Sequence, residues 1–146
     1  MSVPPAIALV VQTVRTSNAL LRASRRIFKP FGLSEAQFNV LHILQDATTP
    51  LTQRELSDIL IVDRSNVTGL IDRMEAAGWV ERLPVPGDRR AYQVTLTSPG
   101  RKLWQKVYPH YQRAAETVIA HLPPAQLRTT REVLAILENQ ATPLGL

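Results

Sequence analysis

Between positions 64 and 73 the chain carries Arg64, Ser65, Asn66, Thr68, Gly69 and Arg73. Most are short polar side chains, joined by two guanidiniums and one position with no side chain. Hydroxyls and amides read base edges, and guanidiniums hold phosphate, without filling a groove. A second set follows at Asp88, Arg89 and Arg90. A carboxylate beside two guanidiniums holds one in place while the other points outward. An outward arginine on a narrow ribbon suits a DNA minor groove, whose negative potential attracts it. Covalent chemistry is not expected here. The sequence holds no Ser-His-Asp elbow, no Gly-rich phosphate loop and no paired carboxylates in a plausible cleft, which argues against an enzyme. There is no cysteine, so disulfides and thiol chemistry are excluded.

The elements that must present these residues are legible in the spacing. Thr52 with Glu55 forms a T-x-x-E capping box, so a helix starts there. Leu56, Ile59 and Leu60 give it an apolar face. Asp63 is a good N-cap for a second helix, whose buried side is Val67, Leu70, Ile71 and Met74. The first residue set lies on the opposite side, and Gly78 ends the helix where a left-handed residue is favoured. Residues 79–83 alternate as a half-buried strand, 84–90 form a turn, and 92–96 return as a strand. Leu51 adds a very short strand to that sheet. The order is that of a winged helix-turn-helix, which lays one helix in a major groove and a basic hairpin beside it.

Residues 78–101, GWVERLPVPGDRRAYQVTLTSPGR, resemble the wing signature of the MarR family of bacterial transcriptional regulators. The specific part is Asp88-Arg89-Arg90 followed by Val94-x-Leu96-Thr97-x-x-Gly100. Residues 62–78, VDRSNVTGLIDRMEAAG, resemble that family's recognition helix, although Gly69 stands where the family often has a long polar side chain. The likeness extends more loosely over the whole chain. It implies a mainly α fold with a small β-wing, N- and C-terminal dimerisation helices, and a cytoplasmic regulator that binds DNA. By default such a protein represses transcription and is released by a small molecule. A small aromatic or phenolic effector would bind where the dimer helices meet the winged lobe, a junction that Asn18, Arg22, Phe38, His42 and Trp104 could face.

The chain has 146 residues, enough for one domain with a real core. We expect a single MarR-like domain over 1–146, with the winged lobe at 31–100 and dimerisation helices at 1–30 and 101–146. Residues 6–28 read as a helix with Ile7, Val10, Val11, Val14, Leu21 and Phe28 near one stripe, ended by Pro30 and Gly32. Ser34 with Gln37 caps the next helix, which buries Phe38, Val40, Leu41 and Leu44 and stops before the loop 46–50. Thr97-Ser98-Pro99 starts a long helix with Leu103, Val107, Tyr111, Ala114, Val118 and Leu122 at near-heptad spacing. Pro109 should bend it. Pro123-Pro124 breaks the chain before a last helix bearing Leu127, Leu134, Leu137 and Ala141. One small winged lobe cannot cover three extra apolar helices, so a two-fold homodimer is expected. Such a dimer sets two recognition helices one turn apart on DNA, ~34 Å.

The net charge of +5 favours a polyanion partner. Its distribution does not single out the winged lobe. Residues 31–100 hold six Lys and Arg against nine Asp and Glu, whereas residues 1–30 hold five basic residues and no acid. The basic side chains of the first helix either bind an anion or form an ordinary solvated face. His42, His110 and His121 lack metal-ligand spacing and fit core or pocket roles, so no metal or cofactor is expected. His42 could also hydrogen-bond a carboxylate or phenol. Trp79, Trp104, Tyr108 and Tyr111 line either a pocket or a core. No apolar run is long enough to span a membrane, and residues 1–17 lack the basic start and cleavage site of a signal peptide. The competing reading is a winged helix that only contacts other proteins. The wing arginines argue against it, since a protein contact has no need of them.

Overall fold

The computed structural model describes residues 3–60, 64–85 and 87–141, with backbone alone at Arg64, Ser65, Arg89 and Arg90. Its elements run α1 (Pro5–Phe28), a 3-10 turn (Lys29–Phe31), α2 (Glu35–Asp46), β1 (Leu51–Thr52), α3 (Gln53–Ile59), α4 (Arg64–Ala76), β2 (Val80–Val85), β3 (Asp88–Leu96), α5 (Ser98–Ile119) and α6 (Pro124–Ala141). The fold is mainly helical, with a small antiparallel sheet of order β1-β3-β2. Two units can be told apart, Met1–Tyr111 and Gln112–Leu146.

Local chemistry explains where the helices begin and end. In α2 the Ser34 hydroxyl accepts from the Gln37 backbone N–H, and the Gln37 side chain accepts from the Ser34 N–H at 2.9 Å. In α3 Thr52 and Glu55 repeat the device, with both the Thr52 hydroxyl and its backbone N–H donating to Glu55 at 2.7 Å. Those donors hold the Glu55 carboxyl below its usual range, the hydroxyl first. At the end of α4, Gly78 takes φ +74°. The Trp79 N–H then reaches back to the Met74 carbonyl at 2.9 Å, and the Gly78 N–H to that of Glu75 at 2.9 Å. This paired C-terminal closure fixes the angle at which the chain enters β2.

The core of the first unit joins α1, α2, α3, α4, α5 and the sheet. Phe28, Phe38, Val40, Leu41, Leu56, Val67, Ile71, Met74, Val80, Val94 and Val107 are all fully buried within it. The buried sides expected of α2 and α4 are therefore borne out. The α3 side is not entirely so: Leu56 and Leu60 are buried, but Ile59 is 51% exposed. The helix ends at Ile59, and Leu60 in an extended cap conformation takes the inward place.

The wing differs more from expectation. The turn over 84–90 is much shorter, because Pro84 and Val85 stay in β2 and Asp88 already belongs to β3. Register runs regularly from Val80↔Leu96 to Pro84↔Tyr92, then jumps to Val85↔Asp88. A bulge of this kind lets a residue without an N–H remain in a ladder. Residues 89–91 fall in the irregular stretch, so Asp88, Arg89 and Arg90 start the returning strand, just after the tip, which was one of the two places expected for them. Downstream, Pro109 lies inside α5, which continues past it to Ile119.

Candidate nucleic-acid interface

The helix-turn-helix is α3 followed by α4. Asp63, expected as the N-cap of α4, lies outside the described residues, as do the side chains of Arg64 and Ser65. Of the other residues expected to read DNA on α4, Asn66, Thr68 and Arg73 are exposed, and Gly69 is half-buried. They share α4 with Val67, Leu70, Ile71 and Met74, which face the core. An amphipathic helix anchored on one side and polar on the other can enter a groove without disturbing the fold beneath it.

Two contacts refine this face. The Gln53 side-chain amide donates to the Thr68 hydroxyl at 2.6 Å, linking the first turn of α3 to α4. That hydroxyl keeps its own proton to donate. Gln53 was not among the residues expected, since nothing in local spacing says that it spans two helices. At Gly69 the nearest atom to a notional Cβ is Arg73 Nη1, 3.4 Å away. The guanidinium of Arg73 thus folds back along the helix over the bare position. The bare position is therefore covered by an arginine from one turn later.

On the wing, the side chains of Arg89 and Arg90 lie outside the described residues. Asp88 is exposed. The structure adds Arg82, whose side chain is 20% exposed and hydrogen-bonded to Asp72 and Glu75 of α4. Burial alone would lower its affinity for a proton. The bonds and charges of the two carboxylates outweigh that and raise it. The alternation of β2 carried the signal: Arg82 follows buried Val80 by two positions, so it lies on the same inner face of the sheet and needs a partner there.

Of the residues expected to face an effector, Phe38, His42 and Trp104 come together. Ring centroids are 6.0 Å apart for Phe38 and His42 and 6.1 Å for His42 and Trp104. Tyr108 lies 5.6 Å from His42 and stacks on Trp104 at 4.6 Å. Asn18 and Arg22 are exposed on α1 and take no part in these ring contacts. His42 Nδ1 and Trp104 Nε1 are buried without a hydrogen-bond partner. The Asp46 carboxylate stands 3.8 Å from His42 Nδ1, too far to bond it. Among the described residues no group of three or more His, Asp or Glu is placed to hold a metal ion. No described helix is long and apolar enough to cross a membrane.

A family model described as MarR family matches residues 31–91. The chain is 28% identical over 134 residues to the HTH-type transcriptional regulator PecS of Dickeya dadantii, covering 90% of this chain and 81% of that one. It is 30% identical over 112 residues to the HTH-type transcriptional regulator YwoH of Bacillus subtilis, covering 77% and 80%. The crystal structure of the M. tuberculosis transcriptional regulator MOSR in complex with DNA superposes with a TM-score of 0.78 at 26% identity, covering 94% of this chain and 98% of that one. The wing, the recognition helix and these matches agree, and the chain belongs to the MarR family of winged helix-turn-helix transcriptional regulators.

Proposed function

We propose that the protein binds a pseudo-palindromic operator as a homodimer, represses transcription there, and is released by a small aromatic acid or phenol. The observation that carries the dimer is the apolar surface left open on a single chain. Ile7, Val10, Val11 and Val14 of α1 are 54%, 57%, 42% and 54% exposed, and Val133, Leu134 and Ile136 of α6 are 41%, 47% and 60% exposed. An isolated monomer rarely leaves so much aliphatic surface in water. Residues 1–30 and 101–146 are the dimerisation helices in this reading, and 31–100 is the lobe that reads DNA. Asn66, Thr68 and Ser65 read bases, Gly69 on the same face leaves room for the Arg73 guanidinium, and Arg64 and Arg73 hold phosphate. Arg89 and Arg90, with Asp88, serve the minor groove beside it.

Light scattering at micromolar concentration is expected to give twice the chain mass. Selection from random DNA is expected to return a two-fold site with half-sites ~10 bp apart. With Asn66→Ala, selected sites lose sequence preference more than binding itself weakens. A folded monomer that held the selected duplex tightly, or an unchanged consensus from the variant, defeats the corresponding assignment.

The effector reading is supported by the unpaired nitrogens of His42 and Trp104. A buried donor without a partner costs roughly 1–3 kcal/mol. A ligand that brings an acceptor oxygen and an aromatic ring to Phe38, His42 and Trp104 would recover it, with Arg22 and Asn18 as polar contacts from α1. Benzoate and hydroxybenzoate are expected to raise the melting temperature and to weaken operator binding by a coupling of ~1–3 kcal/mol. Arg22→Ala is expected to reduce both effects. If no acid or phenol from a broad aromatic set shifts the melting temperature, the regulator has no effector of this class.

A further inference from the structure

Two carboxylates on α4 are out of place on a helix that approaches a polyanion. Asp72 and Glu75 lie three residues apart, and their side chains are 58% and 40% exposed. Unpaired, each would repel backbone phosphate. Their partner comes from the wing. Arg82 Nη2 donates to Asp72 Oδ1 at 2.5 Å, and its Nη1 donates to Glu75 Oε2. The Arg82 backbone N–H donates to Glu75 Oε1 at 3.2 Å. Side chain and main chain of one β2 residue are therefore both tied to α4. A planar guanidinium held by two carboxylates fixes direction as well as distance, which a single ion pair does not. Beyond Arg82 the strand continues to Val85, and the hairpin returns at Asp88. Any swing of β2 about this anchor carries residues 88–90 with it.

We propose that Arg82 is a positioning residue for DNA binding: by holding Asp72 and Glu75 it sets the bearing of the wing on the recognition helix, so that both reach one duplex together. The proposal rests on α4 and the wing being the DNA-reading elements. Arg82 in this role touches neither base nor phosphate. It acts through the arginines of the hairpin, and its positive charge offsets part of the negative charge that Asp72 and Glu75 place on α4. A staple that served only the fold would lower melting temperature and all DNA binding alike.

The test uses the full chain with Asp72→Asn and Glu75→Gln together, and separately Arg82→Lys. The probes are the duplex that the wild-type protein selects from random DNA and an unrelated duplex of equal length. Simple electrostatics predicts that removing two negative charges tightens binding to both. The positioning role predicts the opposite sign on the selected duplex. Its affinity falls about tenfold, the scale of one misplaced arginine contact, while the unrelated duplex is held as well as before or better. Hydroxyl-radical protection of the minor groove under the wing is lost, and protection of guanine N7 under α4 persists. Arg82→Lys keeps the charge but cannot bridge both carboxylates in one plane, so it shows the same pattern at smaller amplitude. If the double variant binds the selected duplex as tightly as wild type with the wing footprint intact, the proposal is overturned. If Arg82→Lys leaves footprint and affinity unchanged, it is overturned as well, even where the double variant does not fold. A wild-type protein that selected no duplex would overturn the DNA-reading role of α4 itself, which separates the two failures.

Discussion

Replacing Gly100 by alanine is expected to lower stability by about 3 kcal/mol, at the severe end of overpacking. In α5 this glycine is buried against the backbone of Trp79. A Cβ there would stand 1.9 Å from the Trp79 carbonyl oxygen and 2.8 Å from its carbon. The obstacle is main chain, so no rotamer change relieves it. That same carbonyl accepts from the Thr97 N–H at 3.1 Å. The Thr97 hydroxyl donates to the Gly78 carbonyl at 2.6 Å and accepts from the Gly100 N–H at 3.1 Å. Moving the peptide thus disturbs the joint where the end of α4, the start of β2 and the start of α5 meet. Thermal melting is expected to shift down by about 10 °C for a chain of this size. Gly69→Ala supplies the control of opposite sign. There the nearest obstacle is the tip of the flexible Arg73 side chain. The gain in helix propensity raises stability by about 0.5–1 kcal/mol. A melt in which the two alanines had equal effects would mean that helix propensity, not the approach to Trp79, governs Gly100.

The contrast between those glycines marks how far the sequence could be read. Both capping boxes were legible because their partners are three residues apart and need no knowledge of the fold. The buried sides of α2 and α4 followed from periodicity for the same reason. Gly100 belongs to the wing motif by spacing, but its physical role depends on Trp79, which is near it only through the sheet. The hairpin was misjudged because Pro84 reads locally as a turn residue, while pairing with Tyr92 across the ladder keeps it in the strand. Ile59 kept its apolar spacing yet faces solvent, since the helix stops under it. Arg82, Asp72 and Glu75 were each visible as charges, and bulk counting even set the lobe's acidity against DNA binding. Their pairing across two elements holds two of those acids against one arginine without changing the lobe's net charge, and no count could reveal it. On the polar face of α4, Asn66, Thr68 and Arg73 stand exposed, opposite the buried side that periodicity indicated. The Gln53 link and the fold of Arg73 over Gly69 depend on how α3 packs on α4 and on one side-chain rotamer, neither of which local spacing encodes.

Phe38→Ala is expected to cost about 3–5 kcal/mol, the range for removing a buried phenyl ring. Phe38 is 1% exposed and sits where three helices meet. Its ring stacks on Phe28 of α1 with centroids 4.3 Å apart and tilts against Tyr111 of α5 at 5.1 Å. Phe28 also contacts Tyr111 at 5.8 Å, so the three rings form a closed set. Phe28 is the single buried residue of α1, whose other large apolar side chains from Ile7 to Leu21 are open to solvent. Losing Phe38 therefore removes the main intrachain anchor of that helix as well as leaving a cavity that α2, pinned by its capping box, cannot collapse into. Two measurements check this. Denaturant unfolding gives the loss in stability. Hydrogen exchange is expected to show the last turns of α1 losing protection while α3 and α4, which Phe38 does not stack on, keep theirs. Phe38→Leu retains most of the volume and is expected to cost less than half as much, because the aliphatic chain refills the space but forfeits the ring contacts. A loss below about 1 kcal/mol for the alanine variant would mean that α1 is held by its apolar stripe rather than by this stack, a result expected only if the dimer contact forms first and carries the helix with it.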